Sequence, residues 1–197
     1  MGHHVFVSYK YSDAVMTRER IRLILGKEGH IYNGEKGFVA LQNADSTIKE
    51  YLKEMIFGTT VTLVVISPQV KYSSWVDWEI RYSLRQLSRD GEKSYRNGIL
   101  CVIQNNTDWF GHNNCNWARD RAGSLRKDIF PEAIIENLQT TFPSCNPYMW
   151  YSNSTIISEK DYCVIVGESA FLSNPSLYIE TAYNRAKDTS YRIVVNK

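Results

Sequence analysis

Residues 60 to 67 read Thr-Val-Thr-Leu-Val-Val-Ile-Ser, with apolar side chains at both odd and even positions. In an extended strand, neighbours point to opposite faces, so this segment is apolar on both sides. Strands of that kind sit in the middle of parallel sheets whose two faces are covered by helices. Pro68 ends the run. The flanking segments supply the helices that such a sheet needs. Val5 to Ser8 reads as a short strand, and Asp13 to Lys27 carries Val15, Ile21, Ile24 and Leu25 at helical spacing, closed by Gly26 and Gly29. A loop at Gly34 to Gly37 precedes a second short apolar run, Phe38 to Leu41. Thr47-Ile-Lys-Glu50 has the form of a capping box for a helix carrying Ile48, Leu52, Met55 and Ile56 and stopping at Gly58. Ser74 is the expected cap of a further helix running to about Leu87, with a core stripe of Val76, Ile80, Leu84 and Leu87. Gly98 to Gln104 is another buried strand. The alternation predicts an α/β fold with right-handed crossovers.

From Asn105 to about Ser158 the periodicity fails, apart from a short helical pattern at Pro131 to Leu138. With too few periodic apolar residues for a core of its own, this stretch reads as a long insertion, anchored by Trp109, Trp117 and Trp150, and a candidate lid or sensing surface. Asp161 to Val166 resumes as a strand, Asn174-Pro175 forms an N-cap and first-turn pair for a helix to about Lys187, and Tyr191 to Val195 reads as a short terminal strand. The 197 residues, 43% of them apolar, are expected to form one domain, with the insertion at about 105–158.

Composition removes several function classes. Lys plus Arg (23) nearly balance Asp plus Glu (21), so no basic face marks a nucleic-acid partner. No run approaches a membrane span and no apolar signal core opens the chain, so a cytoplasmic protein is expected. Cys101 and Cys163 lie in apolar strands and read as buried free thiols, while Cys115, Cys145 and His112 lack the close paired spacing of a zinc site, so no metal is expected. No Gly-x-Gly-x-x-Gly, Walker-type loop or Gly-x-Ser-x-Gly elbow follows a strand, which argues against dehydrogenase, P-loop and serine-hydrolase chemistry.

Ligands of open parallel sheets bind at the carboxyl ends of the strands. The informative segments are therefore Ser8 to Tyr11, the stretch around Asn43, Asp45 and Ser46, and Ser67 to Trp78. The last contains Trp75-Val-Asp-Trp-Glu79. Asp77 has Arg81 four residues on, an ordinary exposed ion pair. Glu79 instead has Trp75, Val76, Tyr82 and Ser83 at the helical neighbour positions, and a carboxylate among aromatics without a local cation is the kind that works as an acid or nucleophile. A solvated surface helix residue is the plainer account of the same glutamate.

Val5-Phe-Val-Ser-Tyr9 with Asp13, Val61 to Ser67 with Pro68, and Ser74-Trp-Val-Asp-Trp-Glu-Ile80 together resemble the TIR domain, in particular the TIR-like branch of Thoeris antiphage systems. The resemblance covers about residues 4–104, with a looser likeness over 161–187. It implies a flavodoxin-like three-layer fold around a parallel sheet, with the insertion before the last strand and helix. It also implies cleavage of the nicotinamide glycosidic bond of NAD, a substrate and not a cofactor, with Glu79 as the catalytic carboxylate. Ser8, Tyr9, Asp45 and Ser46 would line the substrate pocket, and Trp75 or Trp78 would stack on a ring of NAD. The product implied is a cyclic ADP-ribose isomer acting on a separate effector protein; a phage-derived trigger and self-assembly into a homo-oligomer complete the expected partners. Two rivals share the architecture: a TIR module that only assembles, and a nucleoside deoxyribosyltransferase-like enzyme using a glutamate at an anomeric carbon. Incubation with NAD and, separately, with a deoxynucleoside plus free base separates the three.

Overall fold

Val61–Ile66 forms strand β3, and all six residues are buried. Of these, Val61, Leu63 and Val65 face one layer, and Val64 and Ile66 face the other. Fully burying five such side chains contributes on the order of 10 kcal/mol before entropy is counted, so both faces have to be covered. The computed structural model describes residues 2–33, 45–89, 91–109, 111–122, 124–138 and 161–195. The expected run Phe38 to Leu41, together with the loop before it, Asn43, Cys145 and Trp150, lies outside them.

Around β3 the chain runs β1 (His4–Ser8), α1 (Tyr11–Lys27), β2 (Ile31–Asn33), α2 (Asp45–Phe57), β3, α3 (Ser74–Ser83), a hairpin of β4 (Leu87–Arg89) and β5 (Glu92–Ser94), then β6 (Gly98–Ile103). A small hairpin of β7 (Asn106–Thr107) and β8 (Asn113–Asn114) opens the irregular excursion, which also carries α4 (Glu132–Ile135). The chain closes with β9 (Val164–Gly167), α5 (Glu168–Ser173) and α6 (Pro175–Lys187). The main sheet is all parallel in the order β2-β1-β3-β6-β9, with Val61 opposite Val5 on one side and Gly98 on the other. This is the flavodoxin-like order, whose switch point lies between β1 and β3.

One face is covered by α1, α5 and α6 through Ile21, Leu25, Phe171, Tyr178 and Ile179. The other is covered by α2 and α3, and toward β9 by the excursion, whose Ala118, Leu125, Ile129, Phe130, Ala133 and Ile134 join the core built on Val64 and Ile66. The excursion thus shares the sheet's core. Two glycines are dictated by geometry. Gly29, at φ 73°, turns the chain out of α1. A Cβ on Gly98 would stand 2.1 Å from the Ala182 carbonyl oxygen, so α6 can cross β6 only over a glycine. Among the described residues no helix is long and apolar enough to cross a membrane.

Several expected boundaries shift. Helix α2 starts at Asp45, so Thr47 lies inside it and is not its cap. Ser73, not Ser74, caps α3, its Oγ accepting from the Val76 amide at 3.3 Å. That helix ends at Ser83, and Leu87 begins the β4 strand; it still packs, as Trp75 and Trp78 do, against the cluster of Phe6, Ile48, Leu52, Ile56 and Tyr82, so apolar spacing did not mark the break. The helix expected over Pro131 to Leu138 is reduced to α4, and α5 follows β9 directly, where no helix was expected. Tyr191 to Val195 is not a strand: the Asn137 side-chain amide donates to the Val194 carbonyl (3.0 Å) and accepts from its N–H (2.9 Å), standing in for a neighbouring strand. Asn174 does cap α6, accepting from the Leu177 amide ahead of Pro175. Cys101 and Cys163 are buried free thiols. Trp117 anchors the excursion by donating to the Gln104 carbonyl at 2.7 Å. Trp109 does not, being 96% exposed at the tip of the β7–β8 hairpin, where a tight turn carries it away from the sheet.

The buried His30 ring joins the N-terminal strand to α6: its Nδ1 accepts from the His3 amide (3.1 Å) and its Nε2 lies 2.9 Å from Ser176 Oγ. Burial, and then the neighbouring His3, hold its pKa below the ordinary 6.5. The unfolded chain therefore takes up this proton at a higher pH than the folded one, and its contribution to stability is present above pH 6.5 and lost as pH falls through the folded pKa. Urea unfolding followed from about pH 7.5 down to about pH 5 should show a falling midpoint, and His30→Gln should flatten that dependence.

Candidate active site at the carboxyl edge of the sheet

Ser8 ends β1 and Glu79 lies in the second turn of α3, 71 residues later, yet the Ser8 hydroxyl donates to Glu79 Oε2 at 2.5 Å. Both side chains are buried, Glu79 at 7% exposure and Ser8 at 1%. A hydroxyl donating to a carboxylate over so short a distance is a charge-assisted bond, and it fixes the carboxylate's orientation at the β1–β3 switch point. Glu79 is therefore not a solvated surface residue of a helix.

The backbone that carries Glu79 is held as firmly as the side chain. Ser83 Oγ donates to the Glu79 carbonyl (2.8 Å) and accepts from Thr62 Oγ1 (2.8 Å), the one polar position of β3. Asn97, 1% exposed, donates to Thr62 Oγ1 (3.0 Å) and to Thr59 Oγ1 (2.7 Å), and its own amide N–H donates to the Ser83 carbonyl (2.8 Å). Its carbonyl accepts from the buried Tyr162 hydroxyl at 2.6 Å. A hydroxyl buried on a fully covered strand costs about 1–3 kcal/mol unless it is paired, so this network allows Thr62 to stand there. The segments after β3 and β6 are tied to the first turn of α1 as well: the Gln69 amide donates to Asp13 Oδ2 (3.0 Å), and Gln104 Nε2 donates to the Asp13 carbonyl (3.1 Å).

The other expected site residues gather less closely. Tyr9 follows Ser8, but its ring lies under the Arg18 guanidinium, 5.2 Å from the ring centroid, and its hydroxyl accepts from Arg18 at 3.1 Å. Trp75 and Trp78 are half-buried on α3 in an edge-to-face pair, 6.3 Å between centroids. Trp78 stacks on Tyr82, and Lys49 of α2 reaches over both tryptophan rings, so the pair packs in the α2–α3 seam. Asp45 and Ser46 open α2; their side chains lie outside the described residues. The sequence reading missed Thr62, Ser83 and Asn97. Ser83, four residues after Glu79, was the one available signal, because a helical serine can bond back to the carbonyl a turn earlier.

Asp77 does pair with Arg81, but not as the exposed ion pair expected. Its Oδ2 accepts from Arg81 Nε (2.7 Å) and its Oδ1 from the Ala133 amide of α4 (2.8 Å), while Arg81 also donates to Glu136 (2.7 Å). Arg81 is itself buried. Burial lowers its pKa, and the bonds to Glu136 and Asp77 more than reverse this, leaving it raised. This cluster fastens the excursion to the helix that carries Glu79.

Two substitutions test these supports. Asn97→Ala removes the donor that Thr59 and Thr62 share and should lower unfolding free energy by about 2 kcal/mol in urea titrations. Asp77→Asn sets an amide opposite the Arg81 guanidinium and should cost about 1–3 kcal/mol, with faster hydrogen exchange at the Ala133 amide.

A family model for the TIR-like domain of Thoeris protein ThsB matches residues 6–108, from β1 to β7. The match takes in Ser8, Glu79, Thr59, Thr62, Ser83, Asn97 and four of the five strands of the main sheet, and ends inside the β7–β8 hairpin, leaving Tyr162 outside it. With just over half of its 197 residues matched, the chain belongs to the ThsB TIR-like domain family of Thoeris.

Proposed function

We propose that this chain is the antiphage-defence enzyme of its Thoeris system and cleaves the bond between nicotinamide and ribose in NAD, with Glu79 as the catalytic carboxylate. The observation that carries the reading is the buried Glu79 carboxylate, oriented by Ser8 at the carboxyl edge of the sheet. When the ribose C1′–N bond breaks, its electron pair leaves with the nicotinamide ring nitrogen, which becomes neutral without needing a proton. The positive charge left on the ribose is oxocarbenium-like, and a fixed carboxylate in a water-poor site stabilises or captures it. Water then gives ADP-ribose; another nucleophile of the same ADP-ribose gives a ring, and a site that keeps water out favours the ring. The cyclic product is the signal that passes to a separate effector protein. Ser8 acts as a positioning residue on the carboxylate, with Tyr9, Asp45 and Ser46 lining the substrate pocket and Trp75 or Trp78 stacking on a ring of NAD. The reaction takes place in the cytoplasm, on NAD as substrate, and is switched on by a phage component.

Glu79→Gln keeps the shape and the acceptor for Ser8 but not the charge. It should leave cooperative unfolding in place and lower product formation from NAD by at least about a hundredfold. Ser8→Ala, which releases the carboxylate without neutralising it, should cost less, up to about a hundredfold. The measurement is mass spectrometry of NAD and its products in phage-infected cells carrying each variant. Equal NAD consumption by Glu79→Gln and wild type would sink the enzymatic reading in favour of a TIR module that acts by assembly.

A further inference from the structure

A cavity of about 710 Å³ opens at the amino edge of the sheet, away from Glu79. Its walls are Thr59 and Thr60 just before β3, the β4–β5 hairpin with Tyr95 and Arg96 after it, and the last turn of α6. Ser8 lies level with Val64, four residues along β3 from Thr60 in the cavity wall, a rise of about 13 Å along the strand. The volume falls within the range of roughly 300–1,000 Å³ that holds small ligands and far exceeds what an inorganic anion needs.

The charge on the walls is one-sided. Lys93, Arg96 and Lys187 line the cavity against the single carboxylate of Glu92. Helices α2 and α6 both end here, and each carboxyl terminus counts as about half a negative charge. Three cations against one acid and two such half charges still leave about one net positive charge. Lys187 is partly accounted for: it belongs to the last turn of α6 and lies 3.9 Å over the Tyr183 ring. No ion pair among the described residues engages Lys93 or Arg96. Beside them Tyr95 is 74% exposed, a flat aromatic surface at the rim next to two cationic side chains. The floor is rigid, since Thr59 Oγ1 donates to the Ile56 carbonyl and accepts from the buried Asn97. A nucleobase stacks on the face of a tyrosine, and a phosphate meets arginine and lysine through charge-assisted bonds.

From this we infer a second binding site, for a nucleoside mono- or diphosphate: phosphates on Arg96 and Lys93, base against Tyr95. The site is independent of the chemistry at Glu79. It is tested with ADP as the probe, titrated calorimetrically into the full chain. Wild type and Glu79→Gln should bind ADP with equal affinity, and Lys93→Glu combined with Arg96→Gln should weaken it at least tenfold without lowering the melting temperature. Tyr95→Ala should weaken ADP severalfold but leave pyrophosphate binding unchanged. ADP affinity untouched by the charge substitutions, or lost in Glu79→Gln, would place the nucleotide elsewhere and overturn the assignment. Absence of saturable binding in wild type would overturn it too, as would pyrophosphate binding as tightly as ADP, which marks a bare anion site. Because binding is read without turnover, failure here and failure of the NAD-cleaving reading are separate results.

Discussion

A strand covered on both faces has to pair any polar side chain it carries, and β3 carries one in Thr62. The architecture around the site follows from how that group is satisfied. Asn97, at the mouth of the neighbouring strand, and Ser83, at the end of α3, converge on the Thr62 hydroxyl from two elements, and Tyr162 reaches the Asn97 carbonyl from a third. The network sets the position of α3 against the sheet. Ridge-and-groove packing by Val76, Ile80 and Leu84 would otherwise leave that helix some freedom to slide, whereas hydrogen bonds with buried partners do not.

Position along α3 matters because it places Glu79. The helix is fixed at its start by the Ser73 cap, at its end by Ser83, and in between by the Ser8 bond to the carboxylate itself. For the cleavage proposed above, preorganisation of this kind is what a single charge needs to act on a developing cation without rearrangement. The same rigidity reaches the opposite edge of the sheet, where Asn97 also holds Thr59 in the wall of the cationic cavity.

The excursion after β6 takes the place that a helix would fill in a more regular fold of this order. It covers the β6–β9 side of one face with short turns and α4, and lacks regular periodicity because its apolar residues are fitted one by one to an existing core. Its attachment to α3 is polar as well. Arg81, with Asp77 and Glu136, joins α4 to the helix carrying Glu79. Breaking one partner of such a buried cluster costs more than the cluster contributes as a whole, because the remaining charge is left without water.

The alternation of strands and helices, the buried central strand, the Asn174 cap and the aromatic helical neighbours of Glu79 were legible in the sequence, because each depends on residues near one another along the chain: side-chain period, a cap and its amide, positions three and four apart on a helix. Boundaries were less legible where apolar spacing continued past the end of an element, as at Leu87, or where two good capping residues stood side by side, as at Ser73 and Ser74. Tertiary structure alone decided that Ser8 meets Glu79 across 71 residues, that Asp77 is committed to α4 instead of to solvent, that Trp109 points away from the core while Trp117 enters it, and that three cations gather at the edge opposite the carboxylate. Local pattern fixes which face a residue turns inward; what that face meets is set by how distant strands register in the sheet, and no short-range regularity of the chain encodes it.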